Sequence, residues 1–308
     1  MSDQTDIKLI VIDLDGTLLN SKSELSERNE KAIKAAIEAG IQVVLATGKT
    51  RHSALNIIER LELNTPGIYV QGLTIYDGDG QITYEQSLDP VVARQVITFA
   101  EDRGFDIVAY SGSKILVRVE HAKAGELHTR YHEPAPEAIG PLQNILQDMT
   151  VHKLIVVKAN EPRRITALRW QLSKQLDGKG RLVQAAIPDM LEILPPNGSK
   201  GRALQALLKQ MGIAADETMV IGDGENDLEM VKMAGLSVAM GNAYEPLKEA
   251  ADHVTGTNDE DGVAQAIEEY VLKSSLDATA AKENETASQV DSDSTTEETT
   301  TEAQEDEA

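Results

Sequence analysis

Near its start the chain reads Ile7-Lys-Leu-Ile-Val-Ile-Asp-Leu-Asp-Gly-Thr17, and the rest of the architecture can be worked out from this segment. Residues 7–13 are mostly apolar and rich in β-branched side chains, which is typical of a buried strand. The residues that follow favour a tight turn, and they place the carboxylates of Asp13 and Asp15 directly after that strand. We therefore predict a buried strand that ends in an acidic turn.

On both sides of the middle of the chain, the apolar residues alternate between helical and strand spacing. The N-terminal part predicts helices over 26–39 and 50–61 and strands over 41–46 and 67–70. The same order resumes with helices over 200–211, 226–234, 245–251 and 259–273 and strands over 218–221 and 236–240. Alternating strands and helices predict one parallel sheet with helical connections, built from two separate segments of the chain.

The middle of the chain has a different pattern, in which short strands are arranged as hairpins. These are predicted over 73–76 with 81–86 and over 106–110 with 114–119, with a helix over 90–103 between them. The polar stretch 120–141 predicts a long loop, and 142–148 predicts the end of a helix. A strand over 153–157, a helix over 161–176 and one or two strands over 181–194 follow. We expect an α/β fold with a parallel-sheet core formed by 1–80 and 190–273 and an α+β cap domain inserted over 81–189.

The charge balance is strongly acidic, with 29 Lys and Arg against 51 Asp and Glu and a formal net charge of -22. Binding along a nucleic-acid backbone needs clustered basic residues, so this balance argues against a nucleic-acid partner. The absence of cysteine excludes thiolate metal sites and cysteine nucleophiles. The polar N-terminus lacks the pattern of a secretory signal, and no apolar run reaches the roughly 20 residues of a membrane span. We therefore expect a cytoplasmic protein without a membrane partner.

The C-terminal segment, residues 274–308, has eleven acidic residues, a single lysine and no aromatic residue. Such a segment cannot bury enough apolar surface to offset the entropy lost on ordering it. We predict that it forms a disordered acidic tail.

Polar side chains follow three strands of the predicted core sheet. Asp13, Asp15 and Thr17 follow the first strand, Thr47 follows the second, and the segment 223–227 follows the strand over 218–221. Ligands of open parallel sheets bind beyond the carboxyl ends of the strands, so we expect these side chains to meet in one pocket. Carboxylates without nearby His or Cys ligands suit Mg²⁺, which would in turn attract a phosphate group.

Positive charge and hydrogen-bond donors are also available for such a site. Lys200 supplies a compact positive charge, and Thr47 and the backbone N–H groups of Gly16 and Thr17 supply donors. Together they can neutralise phosphoryl oxygens during group transfer.

Four motifs carry a resemblance to a known family. Asp13-Leu-Asp-Gly-Thr-Leu-Leu19, Thr47-Gly48, the lysine of Gly198-Ser-Lys-Gly201 and Gly222-Asp-Gly-Glu-Asn-Asp227 resemble, in order, the signature motifs of the haloacid dehalogenase superfamily. The insertion between the second and third motifs is similar to the large α/β cap of the Cof-like branch. The resemblance covers residues 7–273 and implies a Rossmann-like core.

The resemblance implies a Mg²⁺-dependent phosphatase that acts through an aspartyl-phosphate on small phosphorylated metabolites, such as sugar phosphates or phosphorylated cofactors. Asp13 would be the nucleophile, and Asp15 would protonate the leaving alcohol and then activate water. Asp223 would bind Mg²⁺ together with Asp13 and the backbone carbonyl of Asp15. Asp227 would be a further metal ligand, or it would hold a water molecule that is bound to the metal.

The resemblance also implies a set of phosphate-binding residues, in which Lys200 has the additional task of holding Asp13 ionised. The set comprises Gly16, Thr17, Thr47, Gly48, Lys200 and Asn226.

Substrate specificity is expected to depend on residues outside these motifs. An Arg commonly follows Thr-Gly in this branch, whereas this chain has Lys49, which keeps the charge but lacks the planar bidentate group. Arg51 lies close by, and His128, Tyr131 and His132 belong to a polar segment that could fold over the site. His128 and His132 have a ligand spacing on a helix, but no third metal ligand is evident.

Two alternatives remain open at this point. A phosphomutase or phosphotransferase would use the same intermediate and pass the phosphoryl group to a second hydroxyl instead of water. A non-catalytic module that binds phosphorylated ligands is the other, although a binder does not need the acid/base carboxylate of Asp15.

Overall fold

The computed structural model describes residues 6–184 and 188–273. The strands are β1 Leu9–Ile12, β2 Gln42–Leu45, β3 Gly67–Tyr69, β4 Thr74–Tyr76, β5 Ile82–Glu85, β6 Asp106–Ser111, β7 Lys114–Val117, β8 Pro136–Ala138, β9 Lys153–Val157, β10 Arg181–Gln184, β11 Met190–Leu194, β12 Thr218–Gly222, β13 Leu236–Ala239 and β14 His253–Val254. The helices are α1 Glu27–Glu38, α2 Arg51–Arg60, α3 Pro90–Glu101, α4 Ala122–Tyr131, α5 Pro162–Leu176, α6 Lys200–Met211, α7 Leu228–Val231, α8 Glu245–Ala250 and α9 Gly262–Ile267.

The core of the molecule is a parallel sheet with the strand order β14-β13-β12-β1-β2 within the described ranges. All four residues of β1 are fully buried, as expected for a strand that is covered on both faces. Ile12 pairs with Ile221 of β12 and with Leu45 of β2, so the three strands end at the same level. The turn that follows β1 therefore lies between the loops that follow its two neighbours.

Two helices have starts that matter for the site. Ser26 caps α1 by accepting a hydrogen bond from the N–H of Asn29, and Ser199 caps α6 by accepting one from the N–H of Arg202. The cap at Ser199 fixes where α6 begins, and Lys200 is its first residue. Lys200 is therefore held at a helix terminus with a defined direction, not on a mobile loop.

The inserted segment forms a second sheet with the strand order β10-β11-β9-β6-β7-β8. Alternate residues point to opposite faces: Leu154 and Val156 pack in a cluster with α3 and α5, whereas Ile155 and Val157 join the apolar cluster of the core. One face of this cap sheet thus carries helices, and the other faces the core. The predicted α/β fold with a parallel-sheet core and an inserted α+β domain is confirmed.

A small third sheet, β3-β4-β5, connects the core with the cap. Between β3 and β4 the backbone has positive φ at three successive residues, Val70 (52°), Gln71 (62°) and Gly72 (84°). A β-branched residue rarely adopts this conformation, and such backbone strain concentrates at functional sites. The N–H groups of Val70 and Gln71 donate to the carbonyls of Lys49 and Thr47, which ties this turn to the loop after β2.

Each predicted domain boundary separates strands that pair in the same sheet. The boundary at 80/81 separates β4 from β5, although the two strands pair, and the boundary at 189/190 assigns β11 to the core, although β11 pairs with β9 and β10 in the cap. We propose that the chain enters the cap near residue 87 and leaves it near residue 195.

Several predicted elements differ from those in the structure. The predicted loop over 120–141 contains α4 and β8, because His121 caps α4 and two apolar residues, Ala124 and Leu127, are buried against the core. Those two residues were too weak a pattern to indicate a helix in a polar stretch. Residues 142–145 form a 3₁₀ turn, the predicted helix over 226–234 is a 3₁₀ turn followed by the short α7, and β14 was not predicted. In place of the predicted helix over 259–273, a 3₁₀ turn, Asn258–Glu260, is separated by Asp261 (φ 59°) from α9, which continues into the π-helical turn Glu268–Leu272.

The predicted disordered tail, residues 274–308, lies outside the described residues. Over the ranges that the structure describes, no helix is both long and apolar enough to cross a bilayer.

One buried side chain joins three parts of the core, and its substitution should destabilise the fold. The Asn29 side chain donates to the Leu18 carbonyl (3.3 Å) and accepts from the N–H of Ala264 in α9 (2.9 Å). Asn29→Asp keeps the shape but replaces the donor with a buried carboxylate, so we expect a loss of about 2–4 kcal/mol in the free energy of unfolding, measured in urea. The same substitution at the exposed Asn56 of α2 is the control and should cost less than about 0.5 kcal/mol. Equal effects of the two substitutions would contradict this role of Asn29.

Candidate active site

The turn after β1 and the loop after β12 approach each other very closely. Gly16 has a φ of +84°, and a Cβ atom at this position would lie 2.4 Å from Oδ2 of Asp223. Only glycine permits both the turn and this approach. Thr17 reinforces the contact by donating a hydrogen bond of 2.8 Å to Oδ1 of Asp223. Asn242 Nδ2 donates to the Gly16 carbonyl (2.8 Å) and thereby supports the turn.

Three carboxylates and one ammonium group meet beyond the ends of β1 and β12. Asp13, Asp223 and Asp227 each offer an oxygen within 4.8 Å of the others. Lys200 Nζ donates to Oδ1 of Asp13 (2.5 Å) and to Oδ1 of Asp227 (2.8 Å). Lys200 is 1% exposed and Asp227 is fully buried, so these ion pairs are shielded from water. Of the residues that the sequence predicted to converge, Asp13, Lys200, Asp223 and Asp227 lie together here.

This cluster has three carboxylates and only one ammonium group, so it carries an excess of negative charge. Burial raises the pKa of Asp13 well above its ordinary range; the Lys200 ammonium opposes this, and the charges of Asp227 and Asp223 add to it. Burial and the charge of Asp227 raise the pKa of Asp223 to about 6, against the hydrogen bond from Thr17. Burial lowers the pKa of Lys200, but Asp13 and Asp227 outweigh it and the net shift is upward.

This excess of negative charge fits a divalent cation. The donors are all carboxylate oxygens, with no His ligand among them, which is the ligand set of a hard metal ion. Both oxygens of Asp227 already accept hydrogen bonds. Its Oδ1 accepts from Lys200, and its Oδ2 accepts from the N–H groups of Asp223 (3.1 Å) and Gly224 (3.0 Å). Asp13 and Asp223 are therefore better placed than Asp227 to hold a metal directly.

The loop after β2 forms a further wall of the site. Thr47 is fully buried and its hydroxyl accepts from the N–H of Lys49 (3.1 Å), while the Gly48 carbonyl accepts from Lys153 of the cap (3.0 Å). On the other side of the loop, Gln71 accepts a hydrogen bond of 2.9 Å from Asn226. These bonds connect the second and fourth motifs through the strained turn after β3.

A cavity of about 470 Å³ lies between the core and the cap. The core lines it with Asp13, Asp15, Gly48, Lys49, Gln71, Asp223, Gly224, Glu225, Asn226, Asn242 and Tyr244. The cap lines it with Tyr110, Leu127, Tyr131, Glu133, Lys153, Ile155, Val183, Met190 and Glu192. The two carboxylates of the turn after β1 thus open into a space that the cap covers.

Two of the five predicted specificity residues line this cavity and three do not. Lys49 Nζ pairs with Oδ1 of Asp15 (2.8 Å) and lies 5.7 Å from the centre of the Tyr131 ring. On α4 the cavity is lined by Leu127 and Tyr131, four residues apart. His128 and His132 are one position further round; His128 Nδ1 is bonded to the Glu133 carbonyl, and His132 ends the helix with a φ of 57°.

Arg51 is also turned away from the cavity. Its guanidinium lies 5.9 Å from the centre of the Tyr76 ring, beside the hairpin of β4 and β5.

Four polar cap residues that line the cavity were not predicted from the sequence: Tyr110, Glu133, Lys153 and Glu192. Lys153 and Glu192 stand in otherwise apolar strands, and a charge in such a run was the available signal. Glu133 is buried and accepts hydrogen bonds from Thr50 Oγ1 (2.6 Å) and Ser53 Oγ (2.5 Å) at the start of α2. Only the docking of the cap onto the core brings these residues to the site.

Residues 10–267 match the family model of the haloacid dehalogenase-like hydrolases. A chloroplastic protein of Arabidopsis thaliana, named endoribonuclease YBEY, is 39% identical over 272 residues; the match covers 85% of this chain but only 46% of that protein, so the chain corresponds to less than half of this relative.

Two Bacillus subtilis proteins match over nearly their full length. Phosphatase YwpJ is 32% identical over 281 residues (85% of this chain and 99% of the relative). The 5-amino-6-(5-phospho-D-ribitylamino)uracil phosphatase YcsE is 30% identical over 270 residues (88% and 98%).

Among solved structures, a haloacid dehalogenase-like hydrolase from Bacteroides thetaiotaomicron superposes with a TM-score of 0.76 at 34% identity, covering 85% of this chain and 99% of that one. The chain belongs to the haloacid dehalogenase-like hydrolases, in their Cof-like branch, and its reaction class is the hydrolysis of phosphoric monoesters.

Proposed function

We propose that this protein is a Mg²⁺-dependent phosphatase that hydrolyses small phosphomonoesters through an aspartyl-phosphate intermediate. The observation that carries the proposal is the buried arrangement of Asp13, Lys200, Asp223 and Asp227, with Asp15 two residues from Asp13 and facing the same cavity. Nucleophilic catalysis needs one carboxylate held in place, and general acid catalysis needs a second one near the leaving group.

In the first step an oxygen of Asp13 attacks phosphorus. An Asp13–phosphorus bond forms while the bond from phosphorus to the alcohol oxygen breaks, and Asp15 gives its proton to the departing alcohol. Lys200 holds Asp13 at 2.5 Å and favours its ionised form, which is the nucleophile. The N–H groups of Gly16 and Thr17, together with Thr47, Gly48, Lys200 and Asn226, are the proposed contacts to the phosphoryl oxygens.

In the second step Asp15 takes a proton from a water molecule, which attacks phosphorus and releases phosphate and free Asp13. Lys49, paired with Asp15, orients that carboxylate and stays beside it in both steps. Mg²⁺, held by Asp13, Asp223 and the backbone carbonyl of Asp15, would supply positive charge to the phosphoryl oxygens. Asp227 would position Lys200 and the backbone of the loop after β12.

The size of the cavity and the relatives support a small substrate. A space of about 470 Å³ under a cap accommodates a metabolite and not a folded macromolecule. One Bacillus subtilis relative is named for a phosphorylated ribitylamino compound. We extend that substrate class, a small phosphorylated polyol or cofactor-like molecule, to this chain.

Asp13→Asn should abolish turnover because the amide is not a nucleophile. We expect phosphate release from p-nitrophenyl phosphate and sugar phosphates to fall on the order of 10³-fold or more, with the circular dichroism spectrum unchanged. Asp102→Asn, at an exposed position after α3, is the matched control and should retain full activity. Substantial phosphate release by a folded Asp13→Asn protein would disprove the covalent mechanism, and isomeric sugar phosphate without free phosphate would indicate a mutase.

Asp15→Asn should separate the two steps. The p-nitrophenolate leaving group needs no proton, so an initial burst of this product should persist while its steady-state release falls on the order of 10²-fold or more. With an alkyl phosphate the burst itself should vanish. Mass spectrometry after an acid quench should find one phosphoryl group on the peptide that contains Asp13. An unchanged steady-state rate in Asp15→Asn would remove Asp15 from the mechanism.

Metal binding should depend on pH through Asp223. Its pKa rises from an ordinary 3.8 to about 6 on folding, so the metal-free fold loses stability as the pH increases through this interval. A cation offsets that loss at pH 7, whereas at pH 5 it must displace protons. We expect Mg²⁺ to raise the Tm more at pH 7 than at pH 5, and a chelator to stop phosphate release. A shift of the Tm that is equal at both pH values, or that persists in Asp223→Asn, would argue against this site.

A further inference from the structure

We propose that Lys153 and Glu192 of the cap form a second polar subsite, which selects substrates whose leaving group offers the cap an uncharged hydrogen-bond donor, such as a polyol hydroxyl group. The subsite discriminates against leaving groups that carry a carboxylate or a second phosphate. This inference rests on the proposed phosphatase function, because it concerns the leaving group of the same reaction.

The two residues face the cavity from neighbouring cap strands. Lys153 is the first residue of β9 and pairs in register with Tyr110 of β6, while Glu192 lies in the middle of β11. Both are almost fully buried, at 2% and 7% exposure, and both line the cavity. Charged residues are rarely buried in apolar strands without a specific role.

Lys153 is already engaged by three neighbouring groups. Its ammonium group donates to the Gly48 carbonyl (3.0 Å) and to Oε1 of Glu192 (3.3 Å), and it lies 4.4 Å from the centre of the Tyr110 ring. The two acceptors use two of its three donors, and the Glu192 carboxylate and the face of the Tyr110 ring offset its positive charge. Lys153 therefore differs from a free lysine that would attract a substrate carboxylate.

Glu192, in contrast, keeps an unused acceptor. Its Oε1 accepts from Lys153, but its Oε2 is buried and has no hydrogen-bond partner in the part of the chain that the structure describes. A buried carboxylate oxygen without a partner is costly, so a ligand that supplies a donor is favoured. A hydroxyl or N–H group meets this need and a carboxylate does not.

The neighbouring charges strengthen the discrimination against anions. On the cap side the cavity is lined by two carboxylates, Glu133 and Glu192, and one ammonium group, Lys153. Burial and the charge of Glu133 raise the pKa of the Tyr110 hydroxyl well above its ordinary value, so this group stays neutral. On the core side, Lys49 is already paired with Asp15. An additional anion at the cap would meet a net negative surface.

Apolar side chains surround the polar pair. Ile155, Val183, Met190 and Leu127 line the same cavity and can contact the carbon chain of a substrate. A leaving group with a carbon chain and a terminal hydroxyl group matches this combination.

Two esters that differ only at the terminal carbon test the proposal directly. D-glucitol 6-phosphate ends in a hydroxymethyl group, and 6-phospho-D-gluconate has the same chain and configuration but ends in a carboxylate. We expect the kcat/KM of the unmodified protein to be at least about 10-fold higher for the glucitol ester. Equal values, or a preference for the gluconate ester, would overturn the proposal.

Glu192→Gln should remove the discrimination. The amide oxygen can still accept from Lys153, but the charged acceptor is lost, so the ratio of the two kcat/KM values should fall to within about threefold. A purely structural defect would lower both values alike and leave the ratio intact, which would contradict the proposal. Glu137→Gln, at an exposed ion pair with Lys114 on the cap surface, is the control and should keep the ratio of the unmodified protein. If Glu192→Gln does not fold, the ratio of the two kcat/KM values for the unmodified protein still tests the proposal.

Hydrolysis of p-nitrophenyl phosphate by the unmodified protein separates this inference from the proposed function. If this ester is hydrolysed but neither hexose-derived ester is, the subsite proposal is wrong and the phosphatase assignment stands. If none of the three releases phosphate, both proposals fail.

Discussion

The ammonium group of Lys200, buried among carboxylates, is the interaction on which the rest of the structure depends. Moving a charge out of water is costly, and only close partners of opposite sign offset that cost. Asp13 and Asp227 meet this condition at 2.5 and 2.8 Å, but they come from two different strand ends, and Lys200 comes from the start of a helix. The order of the strands, the capping of α6 by Ser199 and the close turn at Gly16 are all conditions for those two distances.

The same interaction explains why the site is suited to a metal and to phosphate. One lysine cannot neutralise three carboxylates, so the cluster retains negative charge that a divalent cation can satisfy. The cap then completes the enclosure with residues of a different kind. Its inner face is largely apolar and carries few charges, and those are tied to one another or to the core. We therefore propose that the core provides the reaction chemistry and that the cap provides selectivity.

The parts of the site that are local in sequence could be predicted from it. The segment from Ile7 to Thr17 contains a strand, a turn and two carboxylates in a row, and parallel strands bring their ends together, so the positions of Asp13, Thr47 and Asp223 followed. The parts that depend on the docking of the cap could not be predicted. The contact between Glu133 and Thr50 spans 83 residues, and that between Lys153 and Gly48 spans 105. No local pattern predicts which polar residues in and after α4 face inward, and of the three predicted there, Tyr131 lines the cavity whereas His128 and His132 do not.

The bonds that Glu133 makes at the start of α2 have a consequence for motion. Thr50 donates both its N–H and its hydroxyl to this carboxylate, so a helix start on the core is capped by a residue of the cap. If the cap and the core separate, these two donors and the Gly48 carbonyl must therefore form their hydrogen bonds with water. The loop that ends with Thr50 is consequently solvated in one arrangement and dry in the other, and the exchange of the Thr50 amide hydrogen with solvent deuterium reports how often the enclosure opens.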